Sequence, residues 1–416
     1  MSLKQNKNFK SILGLGLFTN IGDSLFFIVT MWYVANNSDV AIYAGLAVFL
    51  FTLPETLLIF FGPLVDRFNP KRILAFSATG QILVHLIIIV LFITSMMTIP
   101  MLLLLLFISA ICSSITYPVE ETMLPQIVEN DELVRANSIF TVVYKLSDSL
   151  FDGIAGIILV VGTVSLIYEA NLLVFLIPLL MLKFLKFQTN TEELETFDMK
   201  SYTRELKEGI SFVSHSKIKF ILLPLAFLNF FTAVNTVALP FFADELTSSP
   251  STYGFLLAFS GAGSMIGALM VNKIQQVLSP GKILTYGLLA NGLLWFFMTI
   301  STVPYVAFVF IFLANFWMGA YNIIFASLFQ VLTPVHLLGR MNTTVDSVIT
   351  IAMPIGALLG GIIIDVMPLR VVMALNAVAL VFTSITYFVN KDIYRLDAID
   401  QLEPIEYDQQ TQGQRT

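Results

Sequence analysis

Apolar residues along this chain come in long runs and do not alternate with polar ones. Twelve such runs succeed one another, at 12–35, 40–62, 73–95, 99–119, 138–161, 165–186, 218–242, 252–276, 282–300, 303–328, 343–365 and 370–389. Each is close to the ~20 residues that a helix needs to cross ~30 Å of hydrocarbon. Barrel strands are shorter and alternate polar with apolar, so runs this rich in Phe, Leu and Ile predict transmembrane helices. The expected fold is an all-α membrane protein with 12 transmembrane helices. The first run is too long for a signal-peptide core and is read as a mature span.

The polar breaks set the organisation. The longest internal one, 187–217, follows the sixth span and divides the chain into six plus six. This predicts an N-terminal six-helix bundle at 1–186, a cytoplasmic loop at 187–217 and a C-terminal six-helix bundle at 218–389. A Gln-rich acidic tail at 390–416 has the composition of a disordered segment. Within the loop, Leu206, Ile210 and Val213 share one helical face between Ser201 and Ser214, as a tether lying on the membrane surface would. Of the 22 Lys and Arg residues, twenty fall at the N-terminus, in the loops after even-numbered spans or in the tail; Arg370 lies on the opposite side and Lys145 inside a span. Basic residues concentrate on the cytoplasmic side, so both termini are expected there, with the chain multi-pass in a plasma membrane; a monomer is expected.

The two halves repeat at an offset of about 205 residues. Gly62-Pro63-Leu64-Val65 matches Gly267-Ala268-Leu269-Met270, Arg135-Ala136-Asn137-Ser138 matches Arg340-Met341-Asn342-Thr343, and Gly156 matches Gly361. Duplicated bundles that rock about a midplane site are a transporter architecture.

Composition agrees. Charged residues make up 12 % of the chain and hydrophobic ones 57 %, against about a quarter charged in a soluble domain. A formal charge of −6 and no basic domain argue against a nucleic-acid partner. Cys112 stands alone, and His85, His215 and His336 are widely spaced, so neither a metal site nor a cofactor is expected. No nucleophile motif points to an enzyme. Gly261-Ala262-Gly263 with Gly267 sits inside an apolar run without a Gly-Lys-Ser/Thr sequence, and reads as close helix packing.

Charges within spans are costly, ~2.5–3.5 kcal/mol each on insertion scales, and so mark cavities or function. Asn20 and Asp23 lie in the first span, with Asp23 ~16 Å in at 1.5 Å per residue, and Glu55 lies in the second. Lys145, Asp148 and Asp152 share one face of the fifth. Lys145–Asp148 reads as a salt bridge or as a substrate contact. Asp23, Glu55, Asp148 and Asp152 form the candidate set for coupling to protons. Glu120 and Glu121, at the exit of the fourth span, read as solvated or gate-pairing. Trp317, Tyr321 and Asn322 are candidates for an adaptable substrate cavity, with Phe26 and Phe27 weaker ones; packing is the competing reading for all five.

The segment Gly62-Pro63-Leu64-Val65-Asp66-Arg67-Phe68-Asn69-Pro70-Lys71-Arg72 resembles the loop signature between spans 2 and 3 of the major facilitator superfamily. Leu332 to Asn342, Pro354 to Gly361, Leu124-Pro125-Gln126 with Ala136-Asn137-Ser138, and Ile21-Gly22-Asp23 resemble its macrolide-efflux and enterobactin-exporter branch. The resemblance implies two pseudo-symmetric six-helix bundles and a cytoplasmic gate of Gly62, Asp66, Arg67, Arg72, Arg135 and Arg340. It also implies export of a small amphipathic molecule, a macrolide, other drug or siderophore. The chain departs from the family's drug antiporters in having Val271 and Asn272 where the first half has Asp66 and Arg67, no proline in Asp148-Ser149-Leu150-Phe151-Asp152-Gly153, and no arginine in span 4. A non-transporting membrane sensor or scaffold is the alternative from another class.

Overall fold

The structure is a computed structural model. It describes residues 5–65, 69–129, 153–160, 162–185, 219–332 and 349–396, together with Leu3 and a few scattered residues between 132 and 151. The surroundings of side chains 58–65 and 329–332 lie outside the description, as do the predicted loop at 187–217 and the tail beyond 396.

The first half contains α1 (Lys7–Asn37), α2 (Ile42–Val65), α3 (Pro70–Ile93), α4 (Ile99–Ser114), α5 (Thr116–Ile127) and α6 (Val164–Phe184). Residues 153–160, in the predicted fifth span, are also helical. The second half contains α7 (Lys219–Thr247), α8 (Pro250–Gln275), α9 (Pro280–Ile300), α10 (Pro304–Leu332), α11 (Ala352–Val366) and α12 (Leu369–Val389). A short α13 (Lys391–Tyr394) follows. Among the described residues, nine helices are long and apolar enough to cross a membrane.

Helix boundaries follow local chemistry. Asn69, Ser249 and Ser279 each precede a proline that opens α3, α8 and α9. A polar cap followed by Pro at the first helical position suits a helix start, because proline has no N–H to leave unpaired there. The predicted fourth span is broken at Ile115 into α4 and α5. Pro118 cannot donate to the Ser114 carbonyl, so the turn at Ile115 lacks that helical hydrogen bond.

Packing divides along the chain. In the first half α1 and α3 pack on α6 and α3 packs on α4; in the second α8 and α9 pack on α10, α9 packs on α12, and α7 packs on α11 and α12. The α8–α10 contact explains the glycine cluster, because a Cβ on Gly263 or Gly267 would meet the Phe312 or Phe316 carbonyl.

One apolar core spans both halves. It unites Phe26, Val29, Trp32 and Val48 with Val237, Phe242, Tyr253 and Ala357. These residues lie toward the end of the molecule where α1 finishes and α8 begins, termed the far end. Toward the near end each half has its own core: Ile12, Leu15, Met123 and Leu182 in the first, and Leu225, Leu284, Leu328 and Tyr387 in the second. The halves therefore meet at one end only, among the described residues.

Arg370 fixes the far end of the second half. Its Nε reaches Glu245 Oε1 at 2.8 Å, and its Nη1 donates to the carbonyls of Thr299 and Ser301, each at 2.8 Å. It thereby caps α9 and ties it to α7 and α12. Arg370→Met should lower stability by ~1–3 kcal/mol, since two carbonyls lose a charged donor. Glu245→Gln should cost less than ~1 kcal/mol, as an exposed ion pair is screened. Thermal unfolding in detergent distinguishes the two, and an equal loss would contradict the capping account.

Candidate functional site

The far-end seam is built by removing side chains. Gly45 on α2 faces α11, where a Cβ on Gly45 would lie 2.7 Å from the Ala357 carbonyl oxygen and 3.0 Å from the Cα of Gly361. A Cβ on Gly361 would in turn lie 2.9 Å from the Cα of Ile42. Gly156, the repeat partner of Gly361, meets Gly254 on α8 in the same backbone-to-backbone manner. Two seams thus join the halves, α2 with α11 and residues 153–160 with α8. Between them Trp32 of α1 stacks on Tyr253 of α8, with centroids 5.7 Å apart at 19°. The backbone N–H of Ala41, just before α2, donates to Asp365 Oδ1 of α11 at 2.8 Å.

Inward of this seam lies the acid-bearing surface. Phe27 of α1 stacks on Phe51 of α2, with centroids 4.5 Å apart at 30°. The helices run antiparallel, so one turn toward the near end brings Asp23 on α1 level with Glu55 on α2. Asp23 is half-buried and Glu55 exposed. Half-buried Asn20 lies a further turn along α1. The sequence placed Asn20 and Asp23 in one span and Glu55 in the next; the fold brings Asp23 and Glu55 to one depth beneath an aromatic pair.

Behind Asp23 is a polar chain that the sequence reading missed. Gln81 Nε2 on α3 donates to Asp23 Oδ1 at 3.0 Å. One turn on, His85 Nδ1 lies 2.9 Å from the Gln81 carbonyl, and its Nε2 lies 3.0 Å from Asn171 Nδ2 on α6. Asn171 Nδ2 also donates to the Gly22 carbonyl at 2.9 Å. Further toward the far end, the hydroxyls of Thr30 and Tyr168 are 2.9 Å apart. Gln81, His85 and Asn171 are fully buried. The signal was a four-residue rhythm of polar positions in an apolar run, Ser77, Gln81 and His85, which puts all three on one helix face.

The other candidates disperse. Arg72 is exposed in the first turn of α3, while its neighbour Lys71 caps α6 through the Leu185 carbonyl at 2.6 Å. Tyr321 is buried inside the second half, its hydroxyl 3.3 Å from that of Tyr387, and so does not line a wall with exposed Asn322. Trp317 is half-buried against Phe316. Phe26 is buried against His85. Glu120 is fully buried, which corrects the solvated reading of that residue. Gly62 lies within α2, its surroundings outside the described residues. Lys145, Asp148, Asp152, Asp66, Arg67, Arg135 and Arg340 lie outside them altogether.

Two helical halves, joined at one end around an acid-bearing surface, define a membrane transporter of the major facilitator fold. The chain belongs to the transmembrane secretion effector family, whose profile matches residues 2–412. It is similar to macrolide efflux protein A of Streptococcus pyogenes, with 23 % identity over 353 residues, 80 % of this chain and 84 % of that protein. Its fold matches nucleoside transporter NupG with a TM-score of 0.71 at 10 % identity, over 92 % of this chain and 99 % of that one. A bacterial homologue of the human lysosomal transporter Spinster, in an inward-facing and occupied conformation, matches with a TM-score of 0.66 at 14 % identity, over 95 % and 99 %.

The seam leaves no room for a side chain. Gly254→Val should push the halves apart at the far end, since the new atoms meet the Gly156 backbone. Spin labels on Asn37→Cys and Ser248→Cys, one in each half, should report a longer mean distance in that background than without it. An unchanged distance distribution would refute the steric account.

Proposed function

We propose that this protein is a secondary active exporter of an amphipathic organic compound of the macrolide or multidrug type, working by alternating access as a proton antiporter. The observation that carries the reading is the division of the apolar core among the described residues, shared at the far end and separate at the near end, with Asp23 and Glu55 at one depth beneath the shared part. With the basic loops and both termini on the cytoplasmic side of a plasma membrane, the far end is extracellular, and we read the join of the described residues there as the closed side of an inward-open carrier. An inward-open carrier loads its cargo from the cell.

Coupling needs a group that holds a proton on one side and loses it on the other. Asp23 and Glu55 supply carboxylates at one depth, and Asp148 and Asp152 complete the set. Carboxylates held within a membrane are costly to keep charged, so a proton or a cationic group of the cargo stabilises the site. The same surface disfavours an anionic siderophore, for which Lys145 would be the counter-charge. The Phe27–Phe51 pair offers an apolar face to the body of an amphipathic cargo. Gly62, Asp66, Arg67, Arg72, Arg135 and Arg340 would close the cytoplasmic side when the seam opens.

Purified protein in liposomes, given a radiolabelled macrolide, should transport it faster under an imposed pH gradient. Asp23→Asn and Glu55→Gln should each reduce the gradient-driven component at least ~tenfold, a loss of ~1.4 kcal/mol in the coupled step. Transport that ignores the gradient would overturn the coupling, and full activity in both variants would exclude these two acids.

A further inference from the structure

We infer that Gln81, His85 and Asn171 are positioning residues for Asp23, holding its carboxylate and the turn of α1 that carries it in the arrangement that accepts a proton. The inference rests on the coupling role proposed for Asp23. Hydrogen-bond accounting fixes the chain's polarity. The Gln81 carbonyl can only accept, so His85 Nδ1 carries the ring proton and donates to it. His85 Nε2 then has a lone pair free to accept, and Asn171 Nδ2, 3.0 Å away, can donate to it. The two hydrogens of that amide nitrogen are both used, one on His85 and one on the Gly22 carbonyl. Turning the amide over would set its oxygen against two acceptors. The neutral Nδ1–H ring of His85 thus orients Asn171, and Asn171 holds α1 at the residue preceding Asp23.

Gln81 completes the arrangement from the same helix. Its Nε2 donates directly to Asp23 Oδ1. Asp23 is therefore gripped twice: on its carboxylate by Gln81 of α3 and the Ser113 hydroxyl of α4, and through the Gly22 carbonyl by Asn171 of α6. The first grip depends on charge, because a carboxylate accepts a stronger hydrogen bond than its protonated form. The second does not. Proton uptake at Asp23 loosens the first grip while the second keeps the helix in register, so occupancy of the acid is converted into a small shift of α1 against α3. Of the titratable groups, Cys112 on α4 interacts with Asp23 directly, His85 on α3 lies one turn beyond Gln81, and Glu55 on α2 lies at the same depth. The amide oxygens Gln81 Oε1 and Asn171 Oδ1 are buried without a partner, which leaves the chain room to exchange partners as Asp23 changes state.

The test uses the full chain in liposomes and reads the pH profile of gradient-driven macrolide transport. Gln81→Met keeps the shape and removes the donor. The charged form of Asp23 then loses a partner, so less acidity suffices to load it, and the half-maximal pH should move upward by about one unit. His85→Leu should slow transport, and His85→Gln, whose amide oxygen can stand where Nε2 accepts, should restore it. In an Asp23→Asn background Gln81→Met should have no further effect on the profile. A wild-type profile in Gln81→Met, with Asp23→Asn inactive, would overturn the positioning role and leave the coupling role standing. Undiminished gradient response in Asp23→Asn would instead overturn the coupling reading. Should Gln81→Met fail to fold, hydrogen exchange of the amides around Gly22 in the unmodified protein decides: protection that falls from alkaline to acidic buffer supports the inference, and protection independent of pH overturns it.

Discussion

Within the hydrocarbon layer a polar group cannot turn to water, and this one constraint organises the molecule. It makes every spanning segment a helix, because only a helix pairs its own backbone. It also makes buried polar side chains find partners across helices. Ser77 reaches the Cys112 carbonyl and the Thr116 hydroxyl, Ser384 the Thr285 carbonyl, and Tyr387 the Ile221 carbonyl. Each such bond is weak in a membrane, ~0.6 kcal/mol on average. Their value lies in register: a helix that slides by one turn loses several together.

The two halves have used this constraint differently. Asn171 and Asn376 stand 205 residues apart, the interval of the repeat, and both are buried. Around Asn171 the first half has gathered an acid, an amide and an imidazole. The corresponding interior of the second half is lined by Tyr321, Thr383, Ser384 and Tyr387, hydroxyls that donate and accept without changing charge. Among the described residues, the first half holds the ionisable interior and the second supplies a surface that closes against it.

Much of this architecture was legible in the sequence. Length and continuity of the apolar runs identified the spans, since nothing soluble needs such runs, and the pairing of Gly156 with Gly361 was visible as a repeat before either was seen to lie on a seam. Boundaries were less legible because hydropathy ignores caps: Pro70, Pro250, Pro280 and Pro304 start helices one to three residues from where the apolar count begins. The break at Ile115 was written in Pro118, within a run that remained apolar throughout. Asp23 stood out because it is charged. Gln81, His85 and Asn171 did not, because neutral polar residues barely disturb a hydropathy profile and a search for metal spacing passes over a single histidine. Which face a helix presents was the least legible property of all. Tyr321 turned inward to Tyr387 and Glu120 became buried through tertiary contacts that no local pattern encodes.

The glycine seam has a consequence for energy conservation. Where backbones touch directly, as at Gly45 with Gly361 and Gly156 with Gly254, those contacts themselves leave no space for a water molecule between the two backbones. A file of water molecules would carry protons across the closed side and short-circuit the membrane. A join made without side chains is therefore an insulator at those contacts, leaving ions no wet path between the two backbones.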